Sequence, residues 1–76
     1  MGDFTYEVIQ TYGVLSTSQK GWTLELNLIS WNRKDPKLDL RTWSPDHQKM
    51  TKGVTLTEEE AAELKQILER VPAGFK

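Results

Sequence analysis

"WTLELNLISWNRKDPKLDLRTW", residues 22–43, alternates apolar and polar side chains twice, with a polar break between the two runs. Trp22, Leu24, Leu26 and Leu28 point one way and Thr23, Glu25, Asn27, Ile29 and Trp31 the other, the period of two that a half-buried strand requires. After the turn residues Asn32 to Pro36, Leu38 and Leu40 alternate with Lys37, Asp39, Arg41 and Trp43. Consecutive strands on so short a connection usually lie side by side. The segment therefore predicts a hairpin with a leucine face and a second face that carries Trp31, Lys37, Arg41 and Trp43.

Working outward, Ser44 to Gln48 is a loop by its turn residues, and Val54-Thr55-Leu56 is a short fourth strand entered through Lys52-Gly53. Thr57-Glu58-Glu59-Glu60 fits a capping box, with the Thr57 hydroxyl meeting the amide three residues on and Glu60 reaching back. A helix comes next, its stripe of Leu64, Ile67, Leu68 and Val71 extended by Ala61, and Pro72 and Gly74 end it. On the other side, FTYEVIQTYGVLST, residues 4–17, is rich in β-branched and aromatic types and predicts the first strand, with Gly13 a bulge or bend. Its facing is ambiguous, because Phe4, Tyr6 and Val8 share a parity that Ile9 and Leu15 break. The expected architecture is α+β, a single domain over residues 1–76: a four-stranded antiparallel sheet, then one helix packed on the leucines, with the opposite sheet face open.

A chain of 76 residues buries only about 60 % of the surface its unfolded form exposes, so its core is marginal. It has no cysteine, and a lone histidine cannot make a zinc site; neither disulfide nor metal reinforces the fold, which makes self-association the expected support. No apolar run is long enough to span a membrane, and Met1-Gly2-Asp3-Phe4 does not read as a leader, so a cytoplasmic location is expected, nucleoid-associated in a bacterium. Net charge is −1, but it is segregated: residues 18–57 hold seven basic against four acidic side chains, and the remainder three against seven. One face of a small body should be basic and another acidic.

Two tryptophans interleaved with Lys37 and Arg41 suit an unpaired nucleic-acid strand, whose bases expose flat faces for stacking while the cations follow its phosphates. A duplex hides those faces. RNA would fit as well as DNA, and a protein contact could use the same aromatic surface, with the cations paired to Glu25 and Asp39. Catalysis is poorly supplied: Asp46 and His47 are adjacent and point apart, Ser44 has no evident base, and the helix-start glutamates are explained by capping. No enzyme activity, cofactor or metal is expected.

The span from Lys20 to Leu68 also resembles the single-stranded-DNA-binding domain of the positive cofactor four family of transcriptional coactivators, above all its short bacterial members of the YdbC type. The likeness rests on Lys20-Gly21-Trp22, Glu25-Leu26-Asn27, Ser30-Trp31-Asn32, Pro36-Lys37, Arg41-Thr42-Trp43-Ser44-Pro45-Asp46-His47, Lys49-Met50 and Lys52-Gly53-Val54-Thr55-Leu56. The resemblance implies a β-β-β-β-α protomer with a curved sheet, paired as a symmetric homodimer through helices and sheet edges. It further implies a channel for single-stranded DNA lined by Trp31, Lys37, Arg41, Trp43 and Lys52, to which Lys20, Asn27 and Lys49 are added, and a role beside the transcription or replication machinery.

Overall fold

A computed structural model describes residues 4–75; Met1 to Asp3, expected to be no part of a leader, and Lys76 lie outside the described residues. In chain order the elements are β1 (Tyr6–Thr17), β2 (Thr23–Trp31), β3 (Lys37–Trp43), β4 (Val54–Leu56) and α1 (Glu58–Glu69). The strands lie in the order β1-β2-β3-β4, every neighbouring pair antiparallel, so the fold class is the one the alternation predicts.

β2 and β3 pair without a slip from Thr23 opposite Trp43 to Ile29 opposite Lys37. Leu24, Leu26 and Leu28 thus share a face with Thr42, Leu40 and Leu38, and Glu25 and Asn27 lie beside Arg41 and Asp39 on the other. The connection turns through Asn32 and Arg33 at φ 50° and 64°, two left-handed residues in succession, closed by the Lys34 amide donating to the Trp31 carbonyl at 2.9 Å. Such a pair matches the twist of the flanking strands; Asn tolerates the conformation, whereas for Arg33 it costs about 1–2 kcal/mol.

β1 behaves differently. Its register against β2 shifts between Val8 and Gln10, between Thr11 and Gly13 and between Val14 and Ser16. Each extra residue reverses the facing of the rest of the strand, so no single parity describes β1. Tyr6 and Val8 face the same way as Trp31 and Ile29, and after successive shifts Thr11, Val14 and Thr17 join them. Repeated bulges also bend a strand and sharpen its twist, which curls the sheet.

The predicted capping box is present: the Glu60 amide donates to the Thr57 hydroxyl at 3.1 Å, and the Thr57 amide donates to the Glu60 carboxylate at 2.9 Å. Three glutamates in the first turn complement the positive end of the helix dipole. α1 lies on the leucine face against β3 and β4, yet none of its residues is buried, and Leu64, Ile67, Leu68 and Val71 remain exposed. The leucines of β2 and β3 are only half-buried.

The face expected to be open holds the most buried side chains of the described residues. Ile29 and Trp43 form its apolar part, and Glu25, Asn27 and Asp39 are buried beside them. The expectation of an open face opposite the helix is therefore corrected. The bulged, curling sheet folds that face inward, and the leucine face is the one left incomplete.

Candidate nucleic-acid interface

Trp31 ends β2, and Trp43 pairs with Thr23 at the strand's other end. The eight steps of a flat strand between them would separate those ends by about 26 Å. The Tyr6 ring nevertheless lies 5.5 Å from Trp31 and 5.7 Å from Trp43, so the curled sheet brings the two ends of this face together. Trp43 is 1 % exposed, covered by Tyr6 and by the His47 ring stacked on it at 5.6 Å. A ring so enclosed has no surface for a base. The expectation that Trp43 is a stacking platform is corrected to that of a packed residue, on the face the alternation assigned to it. Asn27, also expected to meet nucleic acid, is buried on the same face.

The polar part of this interior is built around two carboxylates. Glu25 accepts from the Thr23 hydroxyl at 2.6 Å, from Asn27 Nδ2 at 3.2 Å and contacts His47 Nε2 at 2.7 Å. Burial raises the Glu25 carboxyl, but the hydrogen bonds from Thr23, His47 and Asn27, with the charge of His47, outweigh it and hold the group below its ordinary value. Asp39 receives a fork from Arg41, with Nε to Oδ1 and Nη2 to Oδ2 both at 2.7 Å. The pair is two residues apart on one strand, where the period of two puts both on the same side. Arg41 Nη1 also donates to the Thr51 carbonyl at 3.3 Å, and its guanidinium lies 4.6 Å from the centre of the Trp31 ring. Gly53 makes room for this arrangement: a Cβ there would collide with the Arg41 side chain and the Leu40 carbonyl.

Arg41, expected to hold phosphate, is thus committed to Asp39 and Trp31 and is 13 % exposed at its side chain. Asn27 Oδ1, Trp31 Nε1 and Trp43 Nε1 are buried without a partner among the described residues.

The hairpin end of this face and its rim stay open. A groove of about 380 Å³ is lined by Phe4, Trp31, Asn32, Lys34, Asp35, Lys37, Arg41 and Thr55. Lys37 is exposed there, beside Trp31 and Arg41, as predicted from their shared parity. Lys20 and Lys49 lie at the far end: Gly21, next to Lys20, approaches Pro45, and the Lys49 carbonyl accepts from the Ser44 amide. That loop is held by Asp46, which accepts from the Gln48 amide and the Ser44 hydroxyl, contacts that lower its carboxyl below the ordinary value. Lys52 is exposed beside Gly53. The cations therefore stand at both ends of a curled, aromatic face. Among the described residues no cluster of three or more His, Asp, Glu or Cys side chains is placed to hold a metal ion, and no helix is long and apolar enough to cross a membrane.

Phe4, Tyr6 and His47 complete the cluster and are not among the residues expected from sequence to meet nucleic acid. The common parity of Phe4, Tyr6 and Val8 was the available signal, but only the β1–β2 register joins it to Trp31.

This geometry defines a small four-strand-and-helix domain whose curled face gathers tryptophans and cations. The family model for transcriptional coactivator p15 (PC4) matches residues 18–67, and the chain belongs to that family. An uncharacterized protein of Treponema pallidum (strain Nichols) is 56 % identical over 66 residues, an alignment that covers 87 % of this chain and 78 % of the other. The likeness thus extends to a bacterial protein of similar length.

Proposed function

We propose that this protein binds single-stranded DNA with little sequence preference, as a homodimer, in the cytoplasm or nucleoid, acting in transcription regulation or in replication and repair. The observation that carries the reading is the groove in which Trp31 and Arg41 stack beside the exposed Lys34 and Lys37. A flat ring next to free ammonium groups matches a base next to its phosphate, and the further lysines 20, 49 and 52 give an extended strand additional charge to follow. Membership of the PC4 family supports the same ligand. In this reading Trp31 stacks, the lysines meet phosphate, Arg41 contributes once drawn from Asp39, and Trp43 and Asn27 maintain the interior that supports them.

Titration of the intrinsic tryptophan fluorescence with a twenty-nucleotide oligothymidine, beside a duplex of equal length, tests it. Quenching by the single strand alone is expected, with an affinity that falls as salt rises by a slope of about −0.7 per phosphate contact. Trp31→Ala should weaken binding by about 1–3 kcal/mol. Absence of binding to either DNA, or a salt-independent response, would redirect the face to a protein partner; equal affinity for oligouridine would extend the ligand to RNA.

The homodimer is supported by the unfinished leucine face. A second groove, about 420 Å³, runs between sheet and helix and is lined by Leu26, Leu38, Ala61, Ala62, Leu64 and Leu68 together with Lys65, with the exposed Ile67 and Val71 continuing the helix stripe. A second copy offers the same surface, so each face covers the other. Leu68→Glu places a charge in that contact and should leave an 8.8 kDa monomer with reduced thermal stability, read by sedimentation equilibrium. A native chain that sediments as a monomer at micromolar concentration would overturn the dimer.

A further inference from the structure

We infer that Phe4 is a base-stacking platform, adding one base position to the single-strand site from a part of the chain that precedes the family match. The inference rests on the proposed single-strand reading. The matched span begins at residue 18, after β1 has ended, whereas Phe4 lies ahead of β1 and forms one wall of the groove.

The rings differ in how much free face they keep. Trp43 is enclosed. Trp31 carries the Arg41 guanidinium over its ring, while Tyr6 and Phe4 lean on it at 5.5 and 5.8 Å. Tyr6 is 38 % exposed and Phe4 64 %. A base can stack only on an uncovered ring surface, so Phe4 has the most of it to offer. One exposed phenylalanine is ordinary on any protein surface; its position is what distinguishes this one. The adjoining Thr5 is tied to Asn32 in both directions, its amide donating to Oδ1 at 3.0 Å and its carbonyl accepting from the Asn32 amide at 2.7 Å. Asn32 comes directly after Trp31, so the pin sets Phe4 at the groove mouth, tilted 34° to the tryptophan. Lys34 and Lys37 stand along the same groove to take the neighbouring phosphates, and Asp35 disfavours a phosphate on its own side. The ligand this arrangement fits is a nucleobase of an unpaired strand, next to the base that stacks on what Arg41, Tyr6 and Phe4 leave free of Trp31.

Stacking adds no charge neutralisation, and this separates Phe4 from the lysines. The native chain, Phe4→Leu and Phe4→Tyr are titrated with end-labelled oligothymidines of increasing length by fluorescence anisotropy at several salt concentrations. Phe4→Leu keeps an apolar cover over Trp31 but has no flat face. It should bind about 5- to 100-fold more weakly, with an unchanged salt slope and an unchanged melting temperature, and Phe4→Tyr should bind as the native chain does. Native binding by Phe4→Leu would overturn the inference while leaving the single-strand reading intact. So would a loss of affinity accompanied by a parallel fall in melting temperature, which would make Phe4 a cover for Trp31. A native chain that binds no oligothymidine would remove the single-strand reading and Phe4's role together.

Discussion

Asp39→Ala is expected to lower the unfolding free energy by about 3–5 kcal/mol, the cost of removing one member of a buried ion pair. Asp39 is 0 % exposed and both its oxygens are taken by Arg41, so alanine leaves a guanidinium between Trp31 and the Thr51 carbonyl with no counter-charge. Single domains are stable by about 5–15 kcal/mol in total, and a chain this short belongs near the lower end, so the loss takes away a large share of it. Urea unfolding at one fixed protein concentration reads the effect, the concentration being held because a dimer's midpoint depends on it. The unpaired charge, rather than the lost contact, is the penalty. The double variant Asp39→Ala with Arg41→Met should therefore be more stable than Asp39→Ala alone, and a midpoint for Asp39→Ala equal to the native one would show that solvent reaches Arg41 freely. The functional corollary has the opposite sign. Asp39→Asn keeps one acceptor but frees a positive charge, so whatever fraction folds should bind single strands with a salt slope steeper by about one phosphate.

Local signals in the sequence were reliable here because their causes are local. The β2–β3 hairpin comes from a period of two on each side of a polar turn, and the helix start from the reciprocal reach of Thr57 and Glu60. Parity also placed Trp31, Lys37, Asp39, Arg41 and Trp43 on one face correctly. Alternation, however, says which residues share a face and not which face is enclosed. That was decided by curvature, which comes from three register shifts in β1 that no simple pattern reports. The same shifts hid the partnership of Tyr6 with both tryptophans. Arg41 and Asp39 stand two residues apart with equal parity, and the pairing of cations with Asp39, which the sequence offers only for a protein contact, is made within the fold itself. His47 reaches Glu25 across 22 positions through a left-handed backbone at φ 58°, a contact that only the folded loop creates.

Trp43→Ala should cost about 3–5 kcal/mol, the range for truncating a large buried aromatic residue. The side chain is the largest of the fully buried ones, and its removal opens space beneath Tyr6 and takes away the surface on which His47 stacks. With His47 unsupported, the Glu25 carboxylate loses one of its three side-chain partners as well, so the cavity and the polar network weaken together. Trp43→Phe discriminates between packing and ligand roles. It retains a ring in the cavity and removes an indole N–H that has no hydrogen-bond partner among the described residues, a group whose burial unpaired costs about 1–3 kcal/mol. The phenylalanine variant should therefore unfold much nearer the native urea midpoint than the alanine variant does, and bind oligothymidine with native affinity, in contrast to Trp31→Ala. A Trp43→Phe protein of native stability that binds about tenfold more weakly, a loss of about 1.4 kcal/mol, would contradict this. It would mean that the strand opens the curled face on binding and that Trp43 meets a base in the complex, with the three unpaired polar atoms of the interior marking the place where the face parts.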